Sequence, residues 1–139
     1  MEKINLKTNR RVELIDITAE IQTAVARSKV NNGICFVFCP HTTAGLTINE
    51  NADPSVKSDI INTLNKLIPP DSGYAHSEGN ADSHVKSSLF GPALSIFIEN
   101  GSLALGTWQA VYFCESDGPR VREAWIKVIE PACPAGREK

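Results

Sequence analysis

The strongest constraint on the fold is a series of short runs in which apolar and polar residues alternate. Such alternation is typical of a β-strand that buries one face. Turn residues separate the runs, which favours antiparallel pairing. Strands are predicted over 2–8, 11–16, 34–39, 44–49, 94–98, 107–115 and 121–130.

Two details of these strands can be predicted as well. The segment Thr8-Asn9-Arg10-Arg11 suggests a hairpin turn that pairs the first two strands. The run 34–39 is apolar at every position, which predicts a strand covered on both faces.

Three helices fit between the strands. Thr18 is the predicted N-cap of the first, which ends at Asn31-Asn32-Gly33. Asp53-Pro54 is a cap and first-turn pair for the second, which ends at Pro69-Pro70. The third begins near Asn80 or Asp82 and ends near Leu89. The chain is therefore predicted to be a single α+β domain over 1–139, mainly antiparallel.

Composition excludes several classes of protein. Fourteen Lys and Arg against sixteen Asp and Glu give a net charge of −2, which argues against duplex nucleic acid as a partner. Apolar runs are too short to cross a membrane, and residues 1–5 lack a signal core, so a cytoplasmic location is expected. The four cysteines are expected to be buried, reduced thiols.

All three histidines lie in the middle third of the chain, next to Thr, Glu, Asn and Asp. They are His41, His76 and His84. Three imidazoles can hold Zn²⁺ and leave a fourth position for water or substrate. The spacing matches no standard zinc finger, so separate structural or exposed histidines are the alternative.

Two arginines follow the turn Asp117-Gly118-Pro119. Arg120 and Arg122 lie two residues apart and are predicted to share one face of the last strand, at its rim. That placement suits bidentate binding of a phosphate or carboxylate. Ion pairs with Glu115 or Asp117 across the turn are the alternative, and both roles are compatible.

A third polar cluster surrounds the strand 44–49. Thr42 and Thr43 precede the strand, and Asn49, Glu50 and Asn51 end it. They are candidates for substrate binding, although the second group could supply only caps and turns. The chain has no glycine-rich phosphate loop and no nucleophile elbow.

Taken together, these clusters resemble the YjbQ family, also called uncharacterised protein family 0047, whose members are often labelled secondary thiamine-phosphate synthase. The resemblance covers nearly the whole chain. The matching segments are Pro40 to Leu46, Asn49 to Asn51, His76 to His84, Lys86 to Leu89, Gly106 to Gln109 and Phe113 to Arg120.

The resemblance implies a β-sandwich or barrel-like sheet with two or three flanking helices, assembled as a homotrimer. It also implies that the three histidines meet at a metal or anion site. The metal expected is Zn²⁺, with Mg²⁺ possible. An outward-facing aromatic row, Trp108, Tyr112 and Phe113, would give the chain a reason to self-associate.

The implied activity is weak thiamine-phosphate synthesis from hydroxymethylpyrimidine diphosphate and thiazole phosphate. The partner would be a small phosphorylated metabolite. Predicted binding residues are Thr42, Thr43, Asn49, Asn51, Asn80, Asp117, Arg120 and Arg122, with Glu78, Glu50 and Arg120 as catalytic candidates. The alternatives are a metal-dependent hydrolase with Glu78 or Glu50 as general base, and a non-catalytic binder of an anionic metabolite.

Overall fold

The computed structural model describes residues 1–132, in which eight strands and three helices form. The strands are β1 (Glu2–Lys7), β2 (Glu13–Asp16), β3 (Gly33–Phe38), β4 (Ala44–Glu50), β5 (Ala93–Glu99), β6 (Ser102–Leu103), β7 (Gln109–Glu115) and β8 (Val121–Ile129). The helices are α1 (Thr18–Ser28), α2 (Pro54–Leu67) and α3 (Ala81–Phe90).

The strands form two antiparallel sheets. One has five strands in the order β1-β8-β3-β5-β6, and the other has three in the order β2-β7-β4. The prediction of a mainly antiparallel α+β fold is confirmed. The predicted hairpin between the first two strands is wrong, because β1 pairs with β8 and β2 pairs with β7. Alternation shows which face a strand buries, but it does not identify its neighbour.

The main core lies between the inner faces of the two sheets and α1. The helix contributes Ile21, Ala24 and Val25 to it. Thr18 is the first residue of α1 rather than its N-cap, which is Ile17. The Thr18 hydroxyl instead donates to Asp16 Oδ1 at 2.6 Å and accepts the Val111 N–H at 2.9 Å, which ties the helix to β7.

A second, smaller core covers the other face of the three-stranded sheet. Leu14, Ala110, Tyr112 and Cys114 pack there against Ile60 and Ile61 of α2 and Phe90 of α3. The predicted cap of α2 is confirmed, since the Asp53 side chain accepts the Ser55 N–H.

The predicted outward-facing aromatic row does not form. Tyr112 lies in the smaller core and Phe113 in the main core, on opposite faces of β7. Of the three aromatic residues, Trp108 alone is exposed, and it lies just before the strand.

The outer face of the five-stranded sheet carries exposed apolar side chains. Cys35 and Val37 of β3 point into the core, whereas Phe36 and Phe38 are exposed on the opposite face. Phe97 and Ile129 are exposed on the neighbouring strands β5 and β8. The prediction that both faces of 34–39 are covered is therefore wrong for the single chain. We call the surface formed by Phe36, Phe38, Phe97 and Ile129 the outer sheet face.

The cysteines among the described residues are buried free thiols, as predicted: Cys35, Cys39 and Cys114. Burial raises the pKa of Cys35 to about 11, so its thiol stays protonated at neutral pH. Cys133 lies outside the described residues. None of the helices within residues 1–132 has the length and apolar character that a membrane span requires.

Candidate functional site

An open cleft of about 370 Å³ collects most of the predicted site residues. It lies where β4 begins, β7 ends, β8 begins and α3 starts. Its lining residues are Pro40, His41, Thr42, Thr43, Glu78, Asn80, His84, Asp117, Arg120 and Arg122. Segments far apart in the sequence thus meet at one surface depression.

A buried ion pair forms what we call the floor of the cleft, made of Arg122, Glu115, Thr43 and Thr8. Arg122 Nε donates to Glu115 Oε2 at 2.7 Å, and Nη2 donates to Oε1 at 2.6 Å. Nη2 also donates to Thr43 Oγ1 at 2.8 Å. The Arg122 side chain is only 6% exposed, and the Glu115 carboxylate neutralises its charge.

The electrostatics of the floor favour a charged carboxylate. Burial raises the pKa of Glu115, but the hydrogen bonds and positive charge of Arg122 outweigh burial and hold the pKa below its ordinary value. The predicted ion pair between Arg122 and Glu115 forms, and anion binding by Arg122 stays a prediction.

Thr8 connects the floor to the turn above it. Its hydroxyl donates to Glu115 Oε2 at 2.9 Å and accepts the Arg120 N–H at 2.8 Å, while its own N–H donates to the Arg120 carbonyl at 2.9 Å. A Cβ at Gly118 would lie 2.1 Å from the Arg10 carbonyl oxygen, so glycine alone fits there. The crossing segment between β1 and β2 therefore packs tightly under the turn.

A more exposed ion pair stands at the edge of the cleft, and we call Arg120, Asp117 and Asn80 the rim. Arg120 Nη2 lies 3.0 Å from Asp117 Oδ2, and Nε donates to the Asp117 carbonyl at 2.8 Å. Asn80 Nδ2 donates to the same Asp117 oxygen at 2.9 Å. The Arg120 side chain is 52% exposed, and its Nη1 has no hydrogen-bond acceptor among residues 1–132.

Buried polar side chains fix α3 against the sheet. Arg11 makes two hydrogen bonds to Asp82, at 2.8 and 3.0 Å. Lys86, almost fully buried, donates to Asp82 at 3.1 Å and to Asn65 at 2.8 Å. Ser83 donates to the Ser116 carbonyl. These bonds hold the start of the helix beside the rim.

The N-terminus of α3 opens at the cleft. Asn80 is its N-cap residue but makes no capping hydrogen bond with its side chain, which is bound to Asp117 instead. The first N–H groups of a helix lack partners within the helix and carry a partial positive charge. Such a terminus favours a bound anion when a cationic side chain stands beside it.

The three histidines lie in or beside the cleft. His41 and His84 line the cleft, and the His76 ring lies beside His84, with ring centroids 5.2 Å apart and planes nearly perpendicular. His76 Nε2 is 3.7 Å from Glu78 Oε2. His41 Nε2 accepts the Glu123 N–H at 3.0 Å.

The described residues do not form a ready-made metal site. Within residues 1–132, no group of three or more His, Cys, Asp or Glu side chains is placed to hold a metal ion. Because His41 Nε2 accepts a hydrogen bond, it is unprotonated, and the proton of the neutral ring sits on Nδ1. Metal binding by these residues stays a prediction.

The segment Asn49-Glu50-Asn51 lies away from the cleft. It ends β4, roughly 20 Å along the strand from Thr43. Asn51 Nδ2 donates to Asp16 Oδ2 at 3.3 Å, and the Glu50 carbonyl accepts the Tyr112 hydroxyl at 3.1 Å. These are contacts with β2 and β7 rather than the caps and turns of the alternative prediction, and Glu50 does not line the cleft with Glu78 in the single chain.

Sequence reasoning missed several residues that shape the cleft. Thr8 and Arg11 lie in a segment assigned to a hairpin, and nothing local marks them as partners of Glu115 and Asp82. Lys86 did carry a signal, since it follows Asp82 by one helical turn, the spacing of an ion pair.

Comparison with known proteins identifies relatives along almost the entire chain. A family model described as "UPF0047 protein YjbQ-like" matches residues 2–131. A UPF0047 protein of Methanocaldococcus jannaschii is 56% identical over 127 residues, which cover 91% of this chain and 92% of that protein. The UPF0047 protein YugU of Bacillus subtilis is 45% identical over 130 residues, which cover 93% of this chain and 98% of that protein.

A solved structure supports the same relationship. An uncharacterised YjbQ/UPF0047 protein from Clostridium acetobutylicum superposes with a TM-score of 0.91 at 51% identity, covering 93% of this chain and all of that one. Sequence and fold thus agree over the strands and helices that build the cleft, and this chain belongs to the YjbQ-like UPF0047 family.

Proposed function

We propose that the cleft binds a small phosphorylated metabolite. The observation that carries the proposal is the half-exposed Arg120 guanidinium, which stands beside the N-terminus of α3 with Nη1 uncommitted among residues 1–132. A planar guanidinium and the N–H groups of a helix start are complementary to phosphate oxygens. Asn80 and Thr42 add neutral polar groups to the lining.

The division of charge in the cleft supports Arg120 as the principal anion contact. Arg122 also lines the cleft, but it is paired with Glu115 in the floor and its side chain is only 6% exposed. Asp117 orients Arg120 through two contacts, so the guanidinium is held ready rather than free to rotate. Thr43 belongs to the floor, where its hydroxyl accepts from Arg122.

The reaction we propose is the transfer implied by the resemblance, thiamine-phosphate synthesis. The thiazole nitrogen attacks the methylene carbon of hydroxymethylpyrimidine diphosphate. A C–N bond forms, the C–O bond to the diphosphate breaks, and pyrophosphate leaves with the bonding electron pair. Arg120 and the start of α3 would stabilise the leaving oxygens, where negative charge develops.

Hydrolysis is the second candidate, and one contact favours it. The Glu78 carboxylate lines the cleft and lies 3.7 Å from His76 Nε2, so a carboxylate and an imidazole stand together where a water could be activated. Glu78 rather than Glu50 is then the candidate base.

We also propose that the chain self-associates through the outer sheet face, as the homotrimer implied by the resemblance. Phe36, Phe38, Phe97 and Ile129 expose apolar surface there. Contiguous apolar patches of this kind mark interaction sites on soluble proteins. Analytical ultracentrifugation at micromolar concentration tests it, and a monomer would contradict it.

Calorimetric titration with inorganic pyrophosphate tests the binding site. Arg120→Lys keeps the charge but loses the planar fork, so affinity should fall by about 1.5–3 kcal/mol, the scale of a hydrogen bond to a charged group. Arg27→Lys is the matched control, because Arg27 is exposed, pairs with Glu2 and lies outside the cleft. Equal affinity in both variants would remove Arg120 from the site.

Product analysis tests the reaction. The protein is incubated with hydroxymethylpyrimidine diphosphate and thiazole phosphate, and thiamine phosphate and pyrophosphate are measured. Equal amounts of both products support the transferase. Release of inorganic phosphate from either compound alone supports the hydrolase. Binding without turnover supports the non-catalytic binder.

A further inference from the structure

The three histidines divide into two kinds by their hydrogen bonds. His76 and His84 pack against each other beside Glu78. His41 has different contacts: its ring packs at a right angle to that of Phe113, and its Nε2 accepts a hydrogen bond from the backbone of β8. The resemblance treats the three as equivalent ligands, and the hydrogen bonds distinguish them.

We infer that His41 is a neutral hydrogen-bond donor of the cleft, presenting its Nδ1–H to an oxygen of the bound phosphoryl group, and is not a metal ligand. The inference deepens the proposed phosphate site and rests on it for the identity of the ligand. The tautomer itself rests only on the contact with β8.

The backbone of β8 dictates this tautomer. The Glu123 N–H can only donate, so the nitrogen it meets at 3.0 Å must accept with its lone pair. A neutral imidazole has one acceptor and one donor nitrogen, which leaves Nδ1 protonated. Binding a metal through Nδ1 would move the proton to Nε2 and set two N–H groups against each other.

The position of Glu123 in the sheet fixes the hydrogen bond between its backbone N–H and His41 Nε2. Glu123 pairs with Asn5 in the sheet, and its side chain accepts the Trp125 indole N–H at 2.8 Å on the outer sheet face. Its backbone N–H is therefore fixed in direction by the strand. His41 Nδ1 has no hydrogen-bond partner among residues 1–132, and the residue lines the cleft beside Arg122 and Arg120.

Nitrogen NMR on the full-length protein tests the tautomer directly. Histidines are labelled with ¹⁵N, and long-range ¹H–¹⁵N correlation spectra distinguish protonated from bare ring nitrogens. His76→Gln and His84→Gln variants assign the His41 signals by elimination. We expect a protonated Nδ1 and a bare Nε2 for His41, unchanged by equimolar zinc and shifted at Nδ1 by inorganic phosphate. A protonated Nε2, or a zinc-dependent change at His41, would overturn the inference.

A pair of substitutions tests the donor. The amide nitrogen of Asn can take the place of Nδ1, whereas Ala offers no donor. Phosphate should bind two- to tenfold more weakly to His41→Ala, the scale of one hydrogen bond, and His41→Asn should recover most of that loss. Equal weakening of both variants contradicts a donor role.

The two proposals fail in different ways. If the wild-type protein binds neither phosphate nor pyrophosphate, the proposed function is wrong. The NMR spectra still decide independently which tautomer His41 adopts. If phosphate binds but His41 shows the other tautomer, the inference fails and the site remains.

Discussion

Two arginine–carboxylate pairs stand two residues apart at the same cleft and differ mainly in burial. In the floor, Arg122 and Glu115 are sealed from solvent and share two short hydrogen bonds. At the rim, Arg120 and Asp117 meet in half-exposed surroundings. The floor pair belongs to strands β7 and β8, whereas the rim pair belongs to the turn between them.

The comparison shows that the same kind of ion pair has different roles when it is buried and when it is exposed. Two opposite charges taken out of water depend on each other, because either one alone leaves an uncompensated buried charge. An exposed pair is hydrated and contributes little stability, so its arginine stays accessible to a ligand. We therefore expect the floor to govern folding and the rim to govern binding.

Removing one member of the floor pair should have the largest effect. Arg122→Met leaves the Glu115 carboxylate buried without its partner and should cost about 3–5 kcal/mol of unfolding free energy. The double variant Arg122→Met with Glu115→Gln removes both charges and should lose much less. Urea denaturation gives the unfolding free energy of the wild type, the single variant and the double variant. A loss below about 1 kcal/mol in the single variant would show that the floor is no more coupled than the rim.

Breaking the link between floor and rim should have the next largest effect. Thr8→Val removes the hydroxyl that donates to Glu115 and accepts from the Arg120 backbone, at a cost of about 1.5–3 kcal/mol for a bond to a charged group. Thr47→Val on β4 is the control, since the Thr47 hydroxyl has no hydrogen bond within residues 1–132. It should change stability by less than about 0.5 kcal/mol. Similar losses in both would count against the link.

Acid should remove the stability that the buried carboxylates Glu115 and Asp82 contribute. In the folded protein, Arg122 overcomes the effect of burial and holds the pKa of Glu115 below its ordinary value. Arg11 and Lys86 do the same for the pKa of Asp82. The unfolded chain therefore takes up protons first as pH falls. The stabilisation is complete above the ordinary pKa values and is lost as pH falls below them toward the folded values.

The same double variant sharpens this test. Urea midpoints measured from about pH 6 to about pH 3 should fall less steeply in Arg122→Met with Glu115→Gln than in the wild type, because Glu115 no longer titrates. Parallel curves would mean that Glu115 has the same pKa in both states.

Removing the rim pair should have the smallest effect on stability. Arg120→Ala should cost less than about 1 kcal/mol, the usual range for an exposed pair, although it should weaken pyrophosphate binding. Thermal denaturation beside calorimetry gives both values for one variant. A large loss of stability with intact pyrophosphate binding would contradict the claim that the rim governs binding rather than folding.

The sequence predicted the members of the cleft better than their arrangement. Thr42, Thr43, Glu78, Asn80, His84, Asp117 and both arginines do line it, since loops that end strands of antiparallel sheets gather at sheet edges. The sequence could not distinguish Arg120 from Arg122, because the buried contacts of Arg122 include Thr43, which is distant in the chain. Nor could it show that β4 carries Asn49 to Asn51 away from the cleft.

The fold was predictable in its elements and less so in its connections. The apolar patterns located seven of the eight strands to within a few residues and missed the two-residue β6, and Asp53-Pro54 marked the start of α2. The partners of β1 and β2 were missed because their pairing is long-range. The apolar outer face of β3 was interpreted as buried because an apolar run does not reveal what covers it.

The pairing of β1 with β8 has a consequence for how the protein is made. Glu2 pairs with Ile126 and Lys7 with Val121, so the first strand to be synthesised must wait for the last before its backbone groups find their partners. On the ribosome β1 is an unpaired edge that a neighbouring nascent chain can bind. Lys3 and Lys7 of β1 are charged residues of the kind that discourage such pairing, so we expect neutral substitutions there to increase aggregation during synthesis.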